Sequence, residues 1–165
     1  MTSLLESASP EEIALFNPAF LARVIRDSAG DYEGESGQGM PVALPFLVVP
    51  IVLHLPTRVE LPGSASSQMQ TWIREHPQNM SHLGSHVISL RGFVGFAIRF
   101  GLIHGVLRSQ DGRLSAGPVK RRPPHFNDLE SSEVRDCLRA SRLVGRWFGR
   151  QPDPATLLAF WGLRP

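Results

Sequence analysis

Few residues in this chain stand at spacings that chemistry can use. His82 and His86 are four apart, so they share one face of a helix, as metal-binding histidines do. The glutamate that a zinc hydrolase carries between its histidines is missing, and no third ligand can be placed, so surface or capping histidines are expected. Gly34, Gly37 and Gly39 suggest a phosphate-cradling loop, yet neither Gly-Lys-Ser nor Gly-Lys-Thr follows and no clear strand precedes them. Glu33 and Glu35 fall in the same stretch, where a solvated loop is expected in place of the rigid cleft that paired catalytic carboxylates need. Cys137 is the single cysteine and lies mid-helix with no assignable base, and no serine sits in a Gly-x-Ser-x-Gly elbow. His54 and His104 end apolar segments, the usual place for a hydrogen-bonded core histidine. These patterns nominate no catalytic residue, no metal ligand and no cofactor site.

The sharper feature is basic. Arg135, Arg139, Arg142, Arg146 and Arg150 follow at steps of four, three, four and four, which aligns five guanidinium groups on one helix face. Glu133 and Asp136 neutralise its first turn only. Together with Lys120, Arg121 and Arg122 in the preceding Pro-rich stretch, the face suits nucleic-acid phosphates, where affinity comes from charge and counterion release. An acidic protein partner and a plainly solvated or salt-bridged face remain open beside that reading. Trp147, Phe148, Phe160 and Trp161 crowd the C-terminus. Core packing is their first expectation, and Trp161 is the candidate anchor for a partner protein.

The elements that must position these residues read as mainly helical. Ser9, Pro10 and Glu12 mark a helix start, and Asn17-Pro18 marks another that carries Phe20, Leu21, Val24 and Ile25 on one face and ends near Ala29 or Gly30. DYEGESGQGMP then reads as an exposed loop. Residues 42–55 are apolar almost all round, predicting a buried segment kinked at Pro50 and too short for a bilayer. A helix over Ser66 to Glu75 and a long one from about Ser81 follow. In the long helix, Phe93, Phe96, Ala97, Phe100 and Ile103 share a face that Arg91 and Arg99 avoid. Gly105 ends it, and Val106 and Leu107 lead into a hairpin turning at Asp111-Gly112. Helix, helix, helix and hairpin in that order describe a winged helix. Final helices start at Ser131 or Ser132 and at Asp153-Pro154.

The expected architecture is therefore one domain over residues 1–165, mainly α with a small β-hairpin. It comprises N-terminal helices over 10–30, a winged-helix-like core over 41–117 and C-terminal helices over 131–165. With 165 residues, 42% hydrophobic and 19% charged, the chain can bury a core without disulfides. Sixteen of its 17 basic residues are arginine. The lone cysteine and the absence of a signal-like start place it in the cytosol, away from membranes.

The segments FNPAFLARVIRDSAGDYE, GMPVALPFLVVPIVLHLPTRVELP, FGLIHGVLR and LRASRLVGRWFGR resemble the middle components of bacterial three-component ABC systems, from Asn17 to Pro165. The resemblance implies an accessory protein beside an ABC-type ATPase of the SMC and Rad50 kind and a third component, in systems directed against phage or other foreign DNA. ATP hydrolysis then belongs to a partner. The implied role is a non-enzymatic adaptor that couples the ATPase to nucleic acid or to an effector. It carries over no catalytic residue. A free-standing winged-helix DNA-binding regulator is the alternative, with Arg108 and Arg113 on its wing contributing less than the helical stripe.

Overall fold

The computed structural model describes residues 16–118, 131–151 and 153–163, and helices dominate them. The Ser9-Pro10 start and the basic run Lys120, Arg121 and Arg122 lie outside the described residues. Helix α1 (Pro18–Ser36) starts where its cap predicts: Asn17 Oδ1 accepts from the Ala19 N–H at 2.9 Å, and Pro18 occupies the first turn. It does not end at Ala29 or Gly30. DYEGES is helical, and the chain leaves the helix at Gly37. Two glycines cost a helix about 1 kcal/mol each relative to alanine. Here tertiary contact outweighs that cost, because Gly30 backs onto Ala116 and Tyr32 is buried in the core.

Strand β1 (Met40–Pro41) follows, then α2 (Pro45–Leu53), α3 (Leu55–Glu60), α4 (Met69–Glu75), α5 (Gln78–Ser81) and α6 (Leu83–Ile103). α2 is buried nearly all round, from Leu47 through Val52, as its composition demands. Gly105, at φ 68°, carries the chain from α6 into β2 (Leu107–Gln110). Asp111 and Gly112, with φ of 50° and 72°, make the tight turn into β3 (Arg113–Ala116), the conformation an Asp-Gly hairpin requires. The expected two-stranded wing gains a third strand. β1 pairs antiparallel with β3, Met40 opposite Leu114, giving the sheet order β1-β3-β2.

Helix α7 (Ser132–Gly149) is capped by Ser131, whose side chain accepts from the Val134 N–H, and α8 (Pro154–Phe160) by Asp153. α1 lies against α7 along most of its length and against α6 on another side, while α2 sits between α6 and α7. The core therefore has three long helices around a short buried one, with the small sheet closing the end where α6 meets β2.

Candidate functional site

The arginine face of α7 is built around a close helix contact. Along α7, Ser141, Gly145 and Gly149 recur every four residues and face α1. A Cβ on Gly145 would stand 2.3 Å from the Ser28 carbonyl oxygen, and one on Gly149 would stand 2.6 Å from that of Tyr32. Only glycine admits backbones this close. The two helices run parallel, so residues a turn apart on one meet residues a turn apart on the other. Asp27 accepts from Arg142 at 2.8 Å, Asp31 lies 3.3 Å from Arg146 Nε, and Glu35 pairs with Arg150 at 3.1 Å, all three pairs at an offset of 115 residues.

These rungs are not equivalent. Asp27 is 8% exposed and also receives Arg26 at 3.1 Å, so one buried carboxylate orients two cations. Burial pushes the Asp31 carboxyl up despite Arg146 and Arg142 beside it, and Arg146 Nε approaches without hydrogen-bond geometry. The hydrogen bond from Arg150 holds the Glu35 carboxyl below its ordinary range. Arg150 also donates to the Ala65 carbonyl. Of the five arginines expected on an open basic face, Arg142, Arg146 and Arg150 thus engage acids of α1. Arg139 pairs with Asp136 on its own helix, and Arg135 is exposed on the first turn. Glu133, expected to neutralise that turn, reaches Arg58 at 2.9 Å instead. Asp31 and Glu35 were in plain view in DYEGE, but a loop reading hid their helical spacing from Asp27.

The run VVPIVLHLPTR turns out to hold the end of α2. Arg58 is buried and donates to the Val52 carbonyl at 2.8 Å, tying an end-of-helix acceptor to Glu133 of α7. Thr57, buried beside it, meets His54 Nδ1 at 2.7 Å and Asn79 Oδ1 at 3.2 Å, and Asn79 donates to Glu60 at 2.6 Å. The His54 ring lies 4.7 Å from that of His86, and burial together with His86 and His82 pushes its pKa down. Spacing alone could not bring His54 to His86. Even so, no group of three or more metal-ligating side chains assembles among the described residues. Cys137 is buried, which pushes its thiol up to about 11 and leaves it almost wholly protonated at neutral pH.

Trp161, the expected partner anchor, sits in the core at 1% exposure, packed against Trp72 and Phe148. Trp147 is buried beside it and donates to the Ser67 carbonyl at 2.8 Å. Of the C-terminal aromatics only Phe160 is open. The accessible apolar surface is elsewhere, on α6. That helix buries Val94, Ala97, Ile98 and Gly101, and turns Ile88 (67% exposed), Phe96 (59%) and Ile103 (80%) outward with Arg91 and Arg99. The single apolar face expected from Phe93 to Ile103 is therefore split. Because Arg99 is the one polar residue from 92 to 103, periodicity could not choose the inner side of that half. Small residues chose it: a Cβ on Gly101 would stand 2.7 Å from Leu107 and 3.4 Å from Ala22. Ile88, Gly92, Phe96, Arg99 and Ile103 follow at steps of four, four, three and four, the spacing of a helix–helix seam. No acidic residue occurs on α6. By length and composition it is the one described helix able to cross a membrane, although it packs on α1 and α2.

Compared with known families, residues 5–165 match the model of the ABC-three component (ABC-3C) system Middle Component 3. The chain belongs to that family. No curated protein and no solved structure matches. Membership makes this middle component one part of a multi-protein system. The family-marking segments contribute structure throughout: Asn17 caps α1, Arg58 and Thr57 hold α2, and the Arg-Trp-Phe run at 146–148 lines the α1–α7 seam and the aromatic core.

Proposed function

We propose that this middle component is a non-enzymatic, cytosolic adaptor that docks the ABC-type ATPase of its system and couples it to nucleic acid or an effector in defence against foreign DNA. The observation that carries this reading is the outer face of α6. Burying the exposed parts of Ile88, Phe96 and Ile103 would contribute at most about 1.5–3 kcal/mol per side chain, set against the cost of association. Arg99 lies within the seam and Arg91 to one side of it, with no acid on the helix, so the fitting partner surface is an apolar helix that carries carboxylates. A second copy of this chain fits poorly, since a two-fold contact along α6 would set arginine against arginine.

The sheet order β1-β3-β2 after a long helix is compatible with a winged helix, in which α6 takes the place of the recognition helix. An exposed surface of isoleucine and phenylalanine suits protein docking better than base readout, which favours the adaptor over a free-standing regulator. Nucleic-acid contact falls to the exposed Arg139, beyond the α1 ladder, and to Arg121 and Arg122. Trp161 is assigned to the core in place of the partner surface.

Co-expression with the ATPase and the third component tests the reading. The tagged chain should recover the ATPase, and Phe96→Glu with Ile103→Glu should abolish recovery at an unchanged melting temperature. Recovery that survives both substitutions, or sequence-specific DNA binding by the isolated chain, would overturn it.

A further inference from the structure

A cleft of about 810 Å³ opens between α1, α7 and the turn from α6 into β2, within the size range of small-molecule sites. Its lining combines two chemistries, Arg23, Arg26 and Asp27 of α1 and Arg142 of α7 on the one hand and the rings of Phe100 and His104 on the other. Among these lining residues three guanidinium groups stand with one carboxylate, that of Asp27. It is buried and fixes two in place, accepting from Arg26 Nη1 at 3.1 Å and from Arg142 at 2.8 and 3.2 Å.

Arg26 is further tied to the Gly117 carbonyl by two bonds of 3.1 and 2.9 Å. Arg142 keeps half its side-chain surface exposed, and its two hydrogen bonds to Asp27 run through Nε and Nη2, which leaves Nη1 for an incoming oxygen. Cations held this way lose little further freedom when an anion arrives. The Phe100 ring, in the last turn of α6, and the His104 ring, just past the helix end, lie 4.2 Å apart at 40°, and His104 is exposed. Ring faces of this kind stack on planar heterocycles.

We propose that the cleft binds a nucleoside phosphate, the phosphate against Arg142 beside Arg26 and the base against Phe100 and His104. A carboxylate-bearing peptide meets the same arginines but gains nothing from the ring pair. The phosphate and base belong equally to a free nucleotide and to the terminal nucleotide of a single strand. The site borders the outer face of α6, since Phe100 is one turn from Phe96, but its arginines belong to α1 and α7, so loss of binding in Arg142→Gln with ATPase recovery intact separates it from the adaptor reading.

Calorimetric titration of the full chain tests it, with AMP, GMP, inorganic phosphate, a 5′-phosphorylated single-stranded hexanucleotide and a glutamate-rich peptide as probes. A nucleotide should bind at least about tenfold more tightly than inorganic phosphate or the peptide, the difference made by stacking. His104→Ala, an exposed position, should weaken binding about tenfold, as should Arg142→Gln, which removes a charged hydrogen-bond donor. Ile88→Glu, an exposed position three turns from Phe100, should leave it unchanged. Preference for AMP or GMP identifies a free-nucleotide site, and preference for the hexanucleotide a strand-end site. No binding by any nucleotide probe, peptide affinity equal to that for AMP, or indifference to His104→Ala would overturn the assignment.

Discussion

Helices α6 and α7 are 21 and 18 residues long, yet α6 buries five residues fully while α7 buries ten. α7 carries most of the charge, and Arg142 and Arg146, with Arg150 just past its end, meet acids of α1, so much of its basic face is charge-matched within the chain. α6 is the more apolar and leaves Ile88, Phe96 and Ile103 open to solvent. A basic stripe supplied with its own counter-charges is architecture. An apolar seam without a neighbour asks for a partner.

The largest effect should come where α7 meets the C-terminal helix. Trp161→Ala should cost about 3–5 kcal/mol in urea denaturation, the usual loss for a large buried aromatic. A small loss with impaired partner recovery would move this tryptophan from the core to the interaction surface.

One substitution made in both helices sharpens the contrast. Gly145→Ala should destabilise by about 1–3 kcal/mol, because its Cβ meets the backbone of Ser28. Gly92→Ala on α6 meets nothing within 4 Å and should stabilise by about 0.5–1 kcal/mol through helix propensity. Equal signs in thermal or chemical unfolding would break the comparison.

The smallest effects lie in the rungs, and they run in opposite directions with pH. The lowered Glu35 pKa contributes stability above the ordinary glutamate range, which is lost as pH falls through the folded value. The raised Asp31 pKa works the other way, its ionisation costing stability as pH rises through the folded value. Glu35→Gln should thus lower the melting temperature slightly at pH 7, a deficit that disappears in acid. Asp31→Asn should leave it unchanged or raise it. Melting curves of both variants from pH 7 to pH 3 check this.

What was legible in the sequence was local. Asn17, Ser131 and Asp153 cap the helices they announce, and Asp111-Gly112 turns the hairpin, because a cap or a tight turn is decided by a few adjacent residues. The rest depended on residues far apart. β1 is two residues long in a glycine-rich stretch, and pairing with β3 alone makes it a strand. Gly30 and Gly34 read as helix breakers until Tyr32 has a core to enter. The partners of Arg142, Arg146 and Arg150 are 115 residues away, beyond any periodicity. On α6 the pattern failed for the opposite reason: from 92 to 103 only Arg99 is polar, so the outer face was invisible until Ala97 and Gly101 chose the inner one.

Amide hydrogen exchange on the chain alone and in complex with the ABC-type ATPase of its system tests the central claim most directly. Slowed exchange across residues 83–103, with residues 132–149 unchanged, is the result expected if α6 is the docking face and the basic face of α7 is charge-matched within the chain. Protection gained along α7 while α6 exchanges as before would contradict it.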